Sequence, residues 1–440
     1  MRFDDRVRGR TGLSRRSVLA AAAATALVPA AARAQVASVT SRLPKKYAGT
    51  TLKVLFGTGT SWDILAANSK EFSDATGIKL DFTMAQYMDR YTKMVLDATT
   101  GTASFDTYPI AYQWKHDAAP YVADLGNIDK EIEGCPPLDL ADYPERPLAI
   151  YSKVDNKLVS LPVLGDVTFI IWNREHYRSI GADPEAGPKS WQDILANAAK
   201  LTGGNRYGFG MPAGKNTQTA SFWMQLFNTS GGKYFVDGQP KFDSAASVGA
   251  FARMANEIQP FCPSGNLTWD ISEIVNAFAT GQTSQCLMWP AGFGILSAPA
   301  KSSVAGKFGW ITPPGGGLLG GHGVGVNAKS RNVEPAKLFV AWLASKEIVQ
   351  RTAMAGASPV RTSAFTNPDL VARYPYMPEV LRALQGEVHE FVPTREAEQI
   401  HRMIFDEGNA AVAKTKTPER AAADLQRQVA DFVRRRNLFR

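Results

Sequence analysis

The chain is poor in cysteine and histidine. Cys135, Cys262 and Cys286 are its three cysteines among 440 residues, and none sits in a C-x-x-C pair. No cysteine–histidine grouping has zinc-ligand spacing, so a structural zinc centre has no support. An odd count leaves at least one thiol unpaired. The spacing of Cys262 and Cys286 would allow a bridge across a helix-to-strand unit without showing that one forms. The five histidines, His116, His176, His322, His389 and His401, are scattered. Nucleophile elbows of the G-x-S-x-G type, H-E-x-x-H and a local Ser/His/Asp signature are all missing, which removes the common hydrolase readings. No segment after residue 34 is long and apolar enough to span a bilayer. No internal repeat is found.

Charge of one sign is also scarce once the N-terminus is set aside. The formal net charge is +8, but residues 1–34 hold seven arginines and two aspartates, which is +5 and leaves +3 for the rest. So mild an excess gives no footprint for nucleic acid or a membrane surface, and neither is expected as a partner.

What is present begins with a leader. Ser14-Arg15-Arg16-Ser17-Val18-Leu19 is a twin-arginine motif behind a basic segment, followed by an alanine-rich apolar stretch and a small-x-small site at Ala32-Arg33-Ala34. This predicts a cleaved export signal over residues 1–34, use of the twin-arginine translocase, and a periplasmic destination. No cysteine follows the site, which argues against bacterial lipid anchoring.

At 440 residues a second core is expected. Thr51–Phe56, Ile78–Met84 and Phe105–Ile110 read as strands, with helices starting near Trp62 and Met88 between them. Strand–helix–strand spacing of this kind predicts a doubly wound parallel sheet, whose ligands sit beyond the carboxyl ends of its strands. Thr58 to Trp62, Tyr87 and Tyr112-Gln113-Trp114 therefore share a rim. Lys157 to Asn173 is densely apolar, with Pro162, Gly165 and Asp166 at its middle. That pattern predicts a buried strand interrupted at Asp166, a carboxylate that needs a partner or a wet cleft.

Further along, Ser190 caps a helix, and helices are expected near Thr219–Thr229, Ser244–Ile258, Asp270–Thr280, Glu396–Ala413 and Pro418–Arg436. Gly315-Gly316-Gly317-Leu318-Leu319-Gly320 satisfies G-x-G-x-x-G. It lacks the strand-before, helix-after setting of a dinucleotide site and reads instead as flexible backbone near an interlobe connection. No cofactor is called for.

These segments, in this order, resemble the family 1 extracellular solute-binding proteins of sugar importers, the maltose-binding-like group. The resemblance rests on the opening lobe from Gly57, on Ser190-Trp191-Gln192-Asp193, on Thr268 to Gly294 with its Trp-Asp and Trp-Pro pairs, and on Gly323 to Arg351 followed by Ser358-Pro359-Val360-Arg361. It implies an α/β, two-lobed type II clamshell, each lobe a mixed sheet flanked by helices with a hinge between. Residues 35–160 with 312–360 would form one lobe, and 161–311 with 361–440 the other. The implied work is capture of a carbohydrate in the interlobe cleft and delivery to the membrane permease of an ABC importer, by a monomer. Cys286 and Gly321-His322-Gly323 depart from the family pattern, and the second leaves the ligand open.

Sugars present hydroxyl edges and apolar faces, so their sites combine carboxylates or amides with flat aromatic rings. Asp166 is the expected acceptor and Trp289 the expected platform, with Phe293 in the turn that follows. Trp269 and Glu273 share a helical face. Gln113, Trp114, Ser61, Gly321 and His322 lie at the expected rim. Arg361 is read as reaching the cleft. Trp223, mid-helix beside Phe222 and Leu226, suits core packing and is kept as a pocket candidate. Competing readings keep the clamshell with a polyol, glycerol phosphodiester or oligopeptide cargo, or make the chain an exported glycan-acting enzyme using Asp166 and Glu273 as acid and base.

Overall fold

The computed structural model describes residues 38–439; the expected leader lies outside the described residues. Val39–Arg440 form one compact unit. It opens with β1 (Thr51–Gly57), α1 (Thr60–Asn68), α2 (Lys70–Thr76), β2 (Lys79–Ala85), α3 (Tyr87–Thr100) and β3 (Thr107–Ala111). Sequence periodicity suggests one helix from Trp62 through Phe72, but it breaks at Ser69. The Ser69 hydroxyl donates to Leu65 O at 2.7 Å, a local bond that competes with helix continuation. Trp62, Leu65 and Phe72 are buried across the break.

β1 pairs in parallel with β2 and with β3. The sheet is not wholly parallel, because its next strand comes from far down the chain and runs antiparallel to β3. The long apolar stretch forms β4 (Leu161–Val167) and β5 (Phe169–Asn173). Its interruption falls at Thr168 rather than at Asp166. Thr168 Oγ1 donates to Gln225 Oε1 at 2.6 Å and accepts from Leu318 N at 2.8 Å, so the break itself is hydrogen-bonded. Asp166 stays within β4.

The second half holds α4 (Trp191–Leu201), α5 (Thr217–Thr229), α6 (Ala245–Ala252) and α7 (Ile271–Ala279). Strands β6 (Gln285–Met288), β7 (Phe308–Ile311) and β8 (Gly317–Val326) follow. Helices α8 (Val333–Leu343) and α9 (Lys346–Met354), strand β9 (Val388–His389), and helices α10 (Ala397–Val412) and α11 (Pro418–Arg436) complete it. Ser190 caps α4 through a 3.1 Å bond from Asp193 N, as its sequence predicts. A small sheet places β5 between antiparallel β6 and β7. The larger sheet runs β9-β8-β3-β1-β2, with β4 also antiparallel to β8.

The glycine-rich segment is therefore not flexible backbone. From Gly317 it is the first half of β8, and Leu318 and Leu319 within it are fully buried. Glycine there admits close neighbours: a Cβ at Gly320 would lie 2.6 Å from Trp289 Cζ3.

The two largest apolar cores lie in different parts of the fold. Leu52, Val54, Phe72, Phe339 and Trp342 centre one; Ile170, Phe209, Trp223, Phe251 and Leu425 centre the other. Tyr112 and the stretch from Tyr143 to Tyr151 already pack into the second core; after them the chain changes core between Leu164 and Val167 on β4, between Leu319 and Val324 on β8, and between Ala357 and Val360. The fold thus has two α/β lobes with β4 and β8 running through their junction. All three cysteines are free; Cys262 and Cys286 are buried separately, where a thiol packs as a small hydrophobe. Among the described residues no helix is long and apolar enough to cross a membrane.

Candidate functional site

At the junction lies a cavity of about 190 Å³. It is lined by Tyr87, Ala111, Gln113, Asp166, Thr217, Gln218, Ser221, Trp289, Gly320, Gly321, His322 and Phe391. The larger sheet supplies one wall through the end of β3, the middle of β8 and the end of β4. The first turn of α5 and the end of β6 supply the other.

Asp166 pairs with Gly320 in the β4–β8 ladder. Its Oδ1 accepts from Val167 N at 3.2 Å, and among the described residues no hydrogen bond from protein reaches its other carboxyl oxygen. Burial raises its pKa well above the ordinary carboxylate range, and the Val167 N–H only partly opposes that. The group is a half-buried acceptor facing the cavity, short of donors.

Trp289 lies against Gly320, where any larger residue would displace its ring. Its Nε1 donates to Gln218 Oε1 at 2.9 Å, which fixes the indole plane. Gln218 is placed by the start of α5: the Asn216 side chain accepts from Gln218 N and Thr219 N at 3.1 and 3.3 Å. Gly321 holds a left-handed backbone, φ +125°, beside Leu164 O and the Tyr151 ring. On the opposite side Gln113 donates to the Tyr87 hydroxyl. That hydroxyl lies 3.3 Å from Glu398 Oε1, which also accepts from Trp114 Nε1 at 2.6 Å.

Asp166, Trp289, Gln113, Gly321 and His322 thus converge on one cavity, as the sequence suggests. The other candidates lie elsewhere. Trp114 is fully buried one layer behind, bonded to Glu398. Trp223 is 0% exposed and stacks on Phe227 and Phe242, because the helix face it shares with Leu226 and Phe227 is core. Phe293 packs among Phe169, Phe308 and Tyr376. Arg361, 1% exposed, does not reach the cleft: it donates to Ala344 O, Asp139 O and Leu138 O at 2.8–3.0 Å and lies over Tyr143. Ser61 Oγ accepts from Ser358 N at 3.4 Å, away from the cavity lining. Glu273 closes a capping box by accepting from Asp270 N, and the Trp269 carbonyl accepts from Asn216. Glu273 therefore does not share the cavity with Asp166, and the acid–base pair of a glycan-acting enzyme is not assembled there.

Thr217, Gln218, Ser221, Gly320 and Phe391 line the cavity without having been expected. Asn216, a side-chain cap two residues before Gln218, is the sequence signal that marks the first three. A second recess of about 340 Å³ lies by Tyr91, Asp117 and Glu396. Its carboxylates are engaged already, Asp117 by Tyr91 and Glu396 N, and Glu396 by Arg436.

A donor-poor carboxylate, two amides and a braced indole line this cavity between two α/β lobes, and the fold is the type II clamshell of periplasmic binding proteins. The chain belongs to the bacterial extracellular solute-binding proteins, whose sequence profile matches residues 67–379. It is 46% identical over 409 residues, 93% of this chain and 95% of the relative, to a probable amino-acid ABC transporter periplasmic-binding protein of Sinorhizobium fredii NGR234. An erythritol/L-threitol-binding protein of Mycolicibacterium smegmatis is 26% identical over 324 residues, 67% of each chain. Among solved structures, an ABC transporter solute-binding protein of Agrobacterium radiobacter K84, in complex with ribitol, superposes with a TM-score of 0.80. It is 25% identical and covers 89% of this chain and all of its own.

Proposed function

We propose that this chain is the exported ligand-binding subunit of an ABC importer and that its cargo is a small carbohydrate, a monosaccharide or sugar alcohol. Twin-arginine export would place it in the periplasm, and the permease subunits would receive the loaded protein. The lobe built on the core around Leu52 and Phe339 acts as one jaw, and the lobe built on the core around Ile170 and Trp223 as the other. Closure needs only that ligand contacts favour the shut state. The observation that carries the reading is the meeting of Asp166, Gln113 and Gln218 with the Trp289 ring in one cavity. Carboxylate and amides match hydroxyls, and the indole face matches C–H groups. The volume, about 190 Å³, falls below the roughly 300–1,000 Å³ of drug-sized pockets and suits a small ligand better than an oligosaccharide. Nothing in the arrangement requires chemistry on the cargo.

The Sinorhizobium relative's name raises an amino acid as a second cargo. Asp166 is the sole formally charged side chain among the residues lining the cavity apart from His322. It would suit an ammonium group, but no lining arginine or lysine answers the α-carboxylate. Titration of the purified mature protein with sugars, sugar alcohols and amino acids, followed by tryptophan fluorescence and melting temperature, separates these readings. Saturable binding of a sugar or sugar alcohol recovered intact supports the proposal. Selective binding of amino acids, or release of an altered product, overturns it.

A further inference from the structure

Arg90, on α3, lies one layer behind the cavity and is 4% exposed. Its guanidinium carbon is 5.3, 5.0 and 5.5 Å from the rings of Trp62, Tyr87 and Trp114, a cage of three aromatic faces. Among the described residues Nε and Nη1 have no hydrogen-bond partner. Nη2 is 3.0 Å from His322 Nε2. A guanidinium carries donors only, so this contact is a hydrogen bond only if Nε2 accepts. The proton of a neutral imidazole then resides on Nδ1.

His322 lines the cavity, and among the described residues no protein atom bonds to its Nδ1. The groups packed against the imidazole are Arg90 and Tyr87 from α3 and Trp62 from α1, with Asp166 on the same cavity. Burial first and the Arg90 charge second hold the imidazole well below its ordinary pKa. The ring therefore remains neutral near physiological pH.

We propose that Arg90 is a positioning residue that locks His322 as its Nδ1–H tautomer, so that the site recognises an acceptor oxygen of the ligand at His322 and hydroxyl donors at Asp166. This deepens the carbohydrate reading and rests on it for the identity of the ligand. A polyol or sugar hydroxyl meets both demands, because it donates and accepts. A protonated amine cannot serve at the His322 end, having no acceptor and lying near a buried cation.

The test is long-range proton–nitrogen correlation on histidine-labelled full mature protein without ligand, with His322→Gln assigning the signal. The expected wild-type result is a protonated Nδ1 and a bare Nε2 across about pH 5 to 8, the range in which an ordinary histidine titrates. Arg90→Lys, which keeps a donor, preserves that pattern. Arg90→Met moves the proton to Nε2 or lets the ring titrate within the range. With ribitol as probe, Arg90→Met weakens binding on the order of tenfold, one hydrogen bond's worth, and Arg90→Lys recovers most of it. A wild-type His322 that is protonated or carries its proton on Nε2 overturns the proposal, as does an unchanged tautomer in folded Arg90→Met. If Arg90→Met does not fold, the wild-type spectrum still decides. Failure of ribitol to bind, with the wild-type tautomer as expected, counts against the carbohydrate reading and leaves the Arg90 assignment standing.

Discussion

Replacing Asp166 by Asn should weaken ligand binding and at the same time leave the empty protein as stable as wild type or more so. In the empty cavity the carboxylate has one weak donor, Val167 N at 3.2 Å, and its folded pKa is raised by burial. A carboxyl whose folded pKa is raised contributes stability below the unfolded value, about 3.9, and loses it as pH rises through the folded pKa. Above the unfolded value the carboxyl is therefore a liability that Asn removes while keeping the oxygen that meets Val167 N. Bound hydroxyls supply the missing donors and pull the pKa back down. Wild-type affinity should accordingly be highest above the empty-state pKa and fall as pH drops through it, while Asp166→Asn shows no such fall. Losing one charge-assisted hydrogen bond costs about 1.5–3 kcal/mol, or roughly ten- to a hundredfold in affinity. Calorimetric titration with ribitol and differential scanning, each at neutral and acidic pH, read both effects. Wild-type affinity in the variant, or a melting temperature clearly lowered at pH 7, would refute this account of Asp166.

Gly320→Ala places a methyl 2.6 Å from the Trp289 ring. Displacing the platform should cost about 1–3 kcal/mol of stability, weaken ribitol binding by about tenfold or more, and shift tryptophan emission; an unaltered spectrum and affinity would mean the indole is not braced there. Arg361→Met strips three carbonyls, two of them in buried bonds, of their donor and leaves Asp142 without the cation 3.6 Å away; it should destabilise by roughly 3–5 kcal/mol in urea melts, with affinity per folded molecule unchanged. Thiol titration of the unfolded, unreduced mature protein should count three free thiols, and a reductant should leave the melting temperature unmoved. A count of one would reveal a bridge.

The parts legible from sequence were those with a local cause. Asp166 showed itself because a lone carboxylate beside Pro162 and Gly165 in an apolar run has few places to go. Trp289 and His322 were marked by the Pro and Gly residues flanking them, and Ser190 by its cap. Candidates went astray where a side chain's surroundings come from distant segments. Arg361 owes its burial to carbonyls more than 200 residues earlier in the chain as well as to Ala344. Trp223 suits core packing by its helix position, and Phe242 and Phe251 do surround it, whereas Phe293 could be assigned to core only once Phe308 was seen beside it. The run Gly315 to Gly320 misled for a different reason. Glycine marks turns in isolation, but in β8 it admits the Trp289 ring against the strand. The place of β8 beside β3 and β4 was likewise not legible, since a strand's partners are chosen by packing across the whole chain.

The central claim, that a small polyhydroxylated solute is held unreacted where the two lobes meet, is tested most directly by a crystal structure of the mature protein grown with ribitol. The predicted result is an intact ligand whose hydroxyls donate to Asp166, with its carbon chain against the Trp289 ring. An empty cavity at saturating ribitol, or a ligand seated away from Asp166 and Trp289, would contradict it.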